Sequence, residues 1–205
     1  MTTLRLRLGT RASALARWQA EWVAAQLTSR GVEVELVPIA TRGDVRNRES
    51  IENIGSPGVF TKELERALLD ERIDVAVHSL KDLPTDPVAG LCLPAVPERE
   101  SPRDVLISRH GLLLDRLPAA ATVGTGSLRR RAQLLHARAD LVMRDVRGNV
   151  DTRLKKLADG EFDALVLAHA GLVRLGLDDQ ITEILKPARM LPAVGQGALA
   201  IEARA

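Results

Sequence analysis

The chain is nearly without aromatic residues: among 205 residues there is no Tyr, and only two Trp and two Phe. Nucleic-acid surfaces that stack bases on aromatic side chains need more rings than that. The formal net charge is only +2, so the chain also lacks the strong positive field that carries sequence-independent phosphate binding. Its one cysteine, Cys92, cannot form an intramolecular disulfide, which points to the cytoplasm. His78, His110, His136 and His169 are scattered without metal-ligand spacing, so no catalytic metal is expected. No apolar run approaches the roughly 20 residues that a bilayer crossing requires. Residues 1–8 alternate polar and apolar side chains instead of forming a signal-peptide core.

What is present suits a folded α/β protein: 45% of residues are hydrophobic and 27% charged. The length permits one large domain or two small ones. The cations are biased, with 24 Arg against five Lys. Coding bias explains much of this, because Ala, Leu and Val are abundant alongside Arg. Guanidinium groups nevertheless pair bidentately with carboxylates and phosphates in a way ammonium groups do not.

Leu4, Leu6 and Leu8 alternate as in a strand. They run into Gly9-Thr10-Arg11-Ala12-Ser13 and a helical pattern over residues 14–27, with Ser13 as N-cap. A second strand is expected over residues 32–39, then a polar loop through Ser56. A helix over residues 61–70 leads to a strand over 74–78, and Ser79-Leu80-Lys81-Asp82 lies just past its end. This strand–helix alternation predicts mostly parallel, mixed sheets. The polar, proline-rich stretch at residues 97–104 reads as a domain crossing.

Beyond it the pattern repeats. Gly124-Thr125-Gly126-Ser127 echoes residues 9–13, and Phe162-Asp163-Ala164-Leu165-Val166 echoes Ile73-Asp74-Val75-Ala76-Val77. The expected architecture is two related α/β lobes facing each other across a cleft. Lobe one takes residues 1–99 plus about 198–205, and lobe two takes residues 100–197. Ligands of open α/β sheets bind at the carboxyl ends of strands.

Thr125-Gly126-Ser127-Leu128-Arg129-Arg130-Arg131 is the most informative segment. A strand-to-helix turn offers unpaired backbone N–H groups to an anion. Arg in a first helical turn opposes the helix dipole, so its presence there favours an anionic ligand over a solvated surface. Consecutive helical residues do not share a face, and Arg131 is taken as the solvated one. Arg11, Arg147, Arg153 and Arg174 also fall near strand ends or helix starts, which suggests a ligand with several carboxylates or phosphates. Asp82 serves either as a salt-bridge partner or as a group that stabilises a developing cation. Gly195-Gln196-Gly197 fits a dinucleotide fingerprint only superficially, since no βαβ unit surrounds it.

Together these residues resemble the porphobilinogen deaminase (hydroxymethylbilane synthase) family. The resemblance rests on Thr10-Arg11-Ala12-Ser13, Thr41-Arg42-Gly43-Asp44, Phe60-Thr61-Lys62-Glu63-Leu64-Glu65 and His78-Ser79-Leu80-Lys81-Asp82-Leu83-Pro84. It continues through Gly124-Thr125-Gly126-Ser127-Leu128-Arg129-Arg130, Arg147-Gly148-Asn149-Val150 and Leu191-Pro192-Ala193-Val194-Gly195-Gln196-Gly197. It implies two lobes like those of periplasmic binding proteins. It also implies a transferase that condenses four porphobilinogen molecules with release of ammonia, on a covalent dipyrromethane primer, in heme and other tetrapyrrole biosynthesis.

By that resemblance Asp82 hydrogen-bonds pyrrole nitrogens and stabilises the cationic azafulvene, and Arg11 joins it in catalysis. Ser79, Lys81, Thr125, Ser127, Arg129 and Arg130 hold the primer. Arg11, Ser13, Phe60, Arg147, Arg153 and Arg174 handle substrate and growing-chain carboxylates. The expected partners are porphobilinogen and the growing polypyrrole, with no nucleic acid and no membrane, in a cytoplasmic monomer.

Two departures from the family pattern stand out. Pro57 replaces a loop Lys found in many relatives. The third, C-terminal domain that carries the primer's Cys is expected to be absent from these 205 residues, leaving a chain that binds but turns over poorly. Cys92 does not match the attachment motif and reads as a core or strand residue. The competing expectation is a non-catalytic, two-lobed anion-binding protein.

Overall fold

The computed structural model describes residues 4–40 and 61–205. The polar loop read through Ser56, Pro57 and Phe60 therefore lies outside the described residues. In chain order the first elements are β1 (Arg5–Thr10), α1 (Ala14–Thr28), β2 (Glu33–Pro38), α2 (Lys62–Leu69), β3 (Val75–Ser79) and β4 (Leu91–Ala95). There follow β5 (Asp104–Ser108), β6 (Thr122–Gly124), α3 (Leu128–Ala137), β7 (Val142–Arg144), α4 (Val150–Ala158), β8 (Ala164–Ala168), α5 (His169–Leu175), β9 (Glu183–Ile184) and β10 (Leu199–Arg204).

The chain divides into two compact units, Met1–Arg99 with Ala198–Ala205, and Glu100–Gly197. Each holds one five-stranded sheet, ordered β2-β1-β3-β10-β4 in unit 1 and β7-β6-β8-β5-β9 in unit 2. The two orders are one topology: three parallel strands, then a fourth strand antiparallel to them, then an edge strand antiparallel to that one in turn.

The echo seen in the sequence has a structural cause. In unit 1 the carboxylate of Asp74 accepts the backbone N–H of Arg7 at 2.8 Å, while the Asp74 N–H donates to the Arg7 carbonyl at 2.8 Å. In unit 2 Asp163 makes the same two-way clamp with Thr122, at 2.8 and 2.9 Å. Each clamp aligns a helix-to-strand entry with the neighbouring parallel strand.

Gly9 and Gly124 also correspond. A Cβ on Gly9 would lie 2.3 Å from Ile73 Cδ1, and one on Gly124 would lie 2.6 Å from Leu165 Cδ2 and 2.8 Å from the Phe162 ring. Near the end of each strand a glycine precedes a threonine because a hydrophobic side chain from the helix-to-strand entry fills the space above it.

In unit 1 one face of the sheet buries Leu8, Val77, Leu199 and Ile201 with Ala20 and Val23 of α1. The other face buries Ala76 and Ile73 with Leu64, Ala67 and Leu68 of α2. Unit 2 has two comparable clusters, around Leu106, Leu134 and Val166 and around Leu165, Leu167 and Leu172. Each fully buried Leu contributes about 1.5–3 kcal/mol by leaving water.

One reading is corrected by the structure. Asp104, assigned to the polar crossing, opens β5, whose five residues are all buried. Its polarity is neutralised inside unit 2, as shown below. Of the two alternatives for Cys92, core or strand, the structure shows the strand: it sits in β4 and is exposed.

Candidate functional site

In unit 1 the parallel strands β1 and β3 both end at the same edge, where the chain must turn. Thr10 Oγ1 donates to the Ala16 carbonyl at 3.0 Å, and Ser13, in extended conformation, accepts the Ala16 N–H at 3.3 Å as N-cap of α1. These bonds hold the Arg11–Ser13 turn against the helix start. After β3 the chain makes a single 3-10 turn, Leu80–Asp82, and Leu80 N–H donates to the Ala198 carbonyl at 3.0 Å. Gln19, buried on α1, donates to Ser79 Oγ at 3.2 Å, tying the first helix to the end of β3.

The result is a small pocket lined by the polar residues Arg11, Ser13, Gln19, Thr61, His78, Ser79 and Asp82. Four of the residues predicted for the site, Arg11, Ser13, Ser79 and Asp82, thus share one pocket. Lys81 lies exposed on the same 3-10 turn as Asp82.

Unit 2 repeats the turn. Thr125 Oγ1 accepts the Ser127 N–H at 3.2 Å, and Ser127 caps α3 by accepting the Arg130 N–H at 3.4 Å. No acidic residue occupies the first turn of α3. The guanidinium of Arg130 does not face solvent: its Nε and Nη2 donate to Asp104 at 3.0 and 2.7 Å, and its Nη1 to the Val166 carbonyl at 3.1 Å. Burial pushes the Arg130 guanidinium below its ordinary value, while Asp104 opposes that shift.

Asp104 is fully buried and also accepts from Arg129 Nη2 at 2.7 Å and from Gln196 Nε2 at 2.9 Å. Arg129 Nη1 donates to the Leu191 carbonyl, yet a quarter of its side chain remains exposed. The negative charge that balances the first-turn arginines is therefore largely Asp104, so an anionic ligand is not needed to balance them. Arg131, read as solvated, instead donates to the Met143 carbonyl at 2.9 Å.

The remaining arginines are dispersed over unit 2. Arg147 is exposed just before α4, and Arg153 Nε donates to the Gly148 carbonyl at 2.8 Å. Arg174 is buried on α5 and donates to the Gly197 carbonyl at 2.6 Å. Burial lowers its guanidinium from the ordinary value, and the charge of Glu100 partly restores it. Among the described residues no three His, Cys, Asp or Glu gather as a metal site, and no helix is long and apolar enough to cross a membrane.

Sequence reasoning missed Asp104, which it placed in a linker, and it left His78 without a role. The apolar run Val105-Leu106-Ile107 after Asp104 was the available signal for a buried strand.

A family described as "Porphobilinogen deaminase, dipyromethane cofactor binding domain" matches residues 6–205. The chain belongs to this family. It is 54% identical over 201 residues to a porphobilinogen deaminase of Sorangium cellulosum (strain So ce56), covering 97% of this chain and 67% of that protein. Among solved structures it resembles the methionine binding protein MetQ, at 14% identity and a TM-score of 0.58 over 98% of this chain and 83% of that one. An ancestral arginine-binding protein aligns at 16% identity and a TM-score of 0.51, over 98% of this chain and 84% of that one. At such low identities these neighbours show the fold alone: two lobes of the periplasmic-binding kind carry the porphobilinogen deaminase motifs.

Proposed function

We propose that this chain condenses four porphobilinogen molecules into hydroxymethylbilane with release of ammonia, in tetrapyrrole biosynthesis. The observation that carries the reading is the unit 1 pocket, where an exposed carboxylate, Asp82, shares its lining with Arg11, Ser13 and Ser79. Porphobilinogen is itself mixed in charge, with two carboxylates, an aminomethyl cation and a ring N–H. Arg11 and Ser13 suit the carboxylates. Asp82 suits the ring N–H and the positive charge that develops as ammonia leaves.

Dipyrromethane fits the donor types present. Its carboxylates call for cations and N–H donors, and the start of α3 offers Ser127, first-turn N–H groups and Arg129, which is partly exposed although it also donates to Asp104. When bound, that group supplies the pyrrole carbon from which the chain grows. Ser79, Lys81, Thr125, Ser127 and Arg129 would hold its side chains. Arg130 would act differently, by bracing Arg129 through their shared Asp104. Arg147, Arg153 and Arg174 are assigned to carboxylates of substrate and product, with Arg147 the most exposed of the three. The protein is further proposed to work as a cytoplasmic monomer without nucleic acid, in keeping with its single cysteine and few aromatic rings.

The test is Asp82→Asn in the primer-loaded enzyme. The expected result is a fall in ammonia release of about 10²-fold or more, since oxyanion-type or cation-type charge stabilisation is typically worth that much. Release at the wild-type rate would remove the role of Asp82. Calorimetry adds a check on the ligand: porphobilinogen should bind in preference to sulfate or a simple dicarboxylate.

A further inference from the structure

His78 and Glu202 form a buried pair beneath the pocket. They lie on neighbouring antiparallel strands, where the register sets Glu202 opposite Ala76 and Ala200 opposite His78. The two side chains are therefore diagonal neighbours on one face of the sheet. His78 Nε2 lies 3.0 Å from Glu202 Oε2, with side chains 3% and 7% exposed. His78 Nδ1 has no hydrogen-bond partner among the described residues, and His78 lines the pocket that also holds Arg11, Ser79 and Asp82.

A second observation marks this pocket as built for a polar ligand. Thr61 also lines it, is 1% exposed, and its Oγ1 is buried without a partner among the described residues. Buried hydroxyls without partners are uncommon in folded proteins.

The geometry points to His78 as the proton acceptor of the condensation, with Glu202 as the residue that positions it. This rests on the pyrrole-condensing reading above. Each addition breaks the bond between the aminomethyl carbon and nitrogen of one porphobilinogen, and the electron pair leaves with ammonia. The cationic carbon then bonds to the free α-carbon of the preceding pyrrole, and that carbon must lose its hydrogen as a proton. The balance is an ammonium-bearing substrate plus one C–H giving one C–C bond and ammonium. The proton thus needs a temporary holder before ammonia or water removes it.

Among the described residues lining the pocket, the side chains that offer a basic lone pair to a proton are those of Asp82 and His78. Asp82 is engaged in stabilising the cation. A carboxylate on Nε2 selects the tautomer that carries hydrogen there and leaves Nδ1 as acceptor. It also sets a negative charge where the imidazolium's positive charge forms.

Three measurements test this. In the ¹⁵N spectrum of the chain, His78 should show a protonated Nε2 and a bare Nδ1, and adding porphobilinogen should move the Nδ1 signal. The opposite tautomer would overturn the proposal, and it can be seen whether or not the protein turns over. In the primer-loaded enzyme His78→Asn should lower kcat about 10²-fold, as loss of a general base does, with KM little changed. Glu202→Gln keeps an acceptor for Nε2–H and should lower kcat about tenfold without unfolding the chain.

The readout that a purely structural role would not move is the isotope effect. With porphobilinogen deuterated at the free α-carbon, wild type should show none on kcat, and both variants should show one of at least about twofold. Variants slowed with no isotope effect, or unchanged in kcat, would overturn the proposal. Failure of wild type to release ammonia from porphobilinogen would instead overturn the functional reading, and the acceptor role with it, while the tautomer would still report on the pair.

Discussion

Replacing Asp104 should be the most damaging single change in unit 2. The carboxylate is fully buried and accepts four hydrogen bonds, two from Arg130 and one each from Arg129 and Gln196. Arg129 is a quarter exposed and can turn toward water, so it suffers little. Arg130 cannot, with only 8% of its side chain exposed, and Asp104→Ala leaves its charge buried without a counter-ion.

Breaking a buried pair in this way costs about 3–5 kcal/mol. With a urea slope of about 2 kcal/mol per molar, the midpoint of the unit 2 transition should fall by roughly 2 M. Trp18 and Trp22 both lie on α1 of unit 1, so the transition has to be followed by far-UV circular dichroism or by hydrogen exchange in β5 and β8. Removing both partners with apolar residues, Asp104→Leu with Arg130→Met, should recover most of the loss, because no bare charge remains. A cost below about 1 kcal/mol for Asp104→Ala, or a double variant as unstable as the two single losses added, would refute the account.

Other outcomes follow from the same contacts. Asp74 is held well below the usual carboxylate range, chiefly by its hydrogen bond to the Arg7 side chain, with burial opposing. Its stabilisation is therefore complete above the unfolded carboxylate value of about 3.9 and is lost as pH falls below it. Asp74→Asn should be less stable than wild type at pH 6 and should show a flatter acid limb between about pH 5 and 2, measured by urea titration at each pH. Gly124→Ala should cost about 1–3 kcal/mol, because its methyl would meet a Phe162 ring that cannot step aside. Gly9→Ala should cost less, since its nearest contact is the terminal methyl of Ile73. Thermal melts of the two variants should rank in that order.

The sequence disclosed most where the structure depends on local pattern. Gly9 and Gly124, Asp74 and Asp163, and Ser13 and Ser127 could be matched by eye because each serves a turn or clamp whose partners lie on adjoining segments. The sequence pointed to a cleft between lobes; that Arg11, Ser13, Ser79 and Asp82 line one pocket within unit 1 follows from the same local pattern, since the first two come just after one strand and the last two end or follow another.

Long-range pairing was not legible. Nothing near Arg130 announces that Asp104, 26 positions earlier, holds its guanidinium. His78 looked isolated because its partner, Glu202, is 124 positions away. Short central strands were also obscured, as β5 begins on a charged residue whose compensation is entirely tertiary.

The place of β10 bears on how the protein is made. The strand follows all of unit 2 in sequence, yet it lies inside the unit 1 sheet between β3 and β4. On a ribosome adding about 5–20 residues per second, β1 to β4 emerge first but cannot close their sheet, since the place between β3 and β4 stays empty while all of unit 2 is synthesised. Unit 2, contiguous in the chain, can fold meanwhile. The nascent first half therefore waits with the edges of β3 and β4 unpaired for roughly 5–20 s, an interval in which chaperones would find it. Because Glu202 arrives with β10, His78 gains its partner only after all of unit 2 has been made.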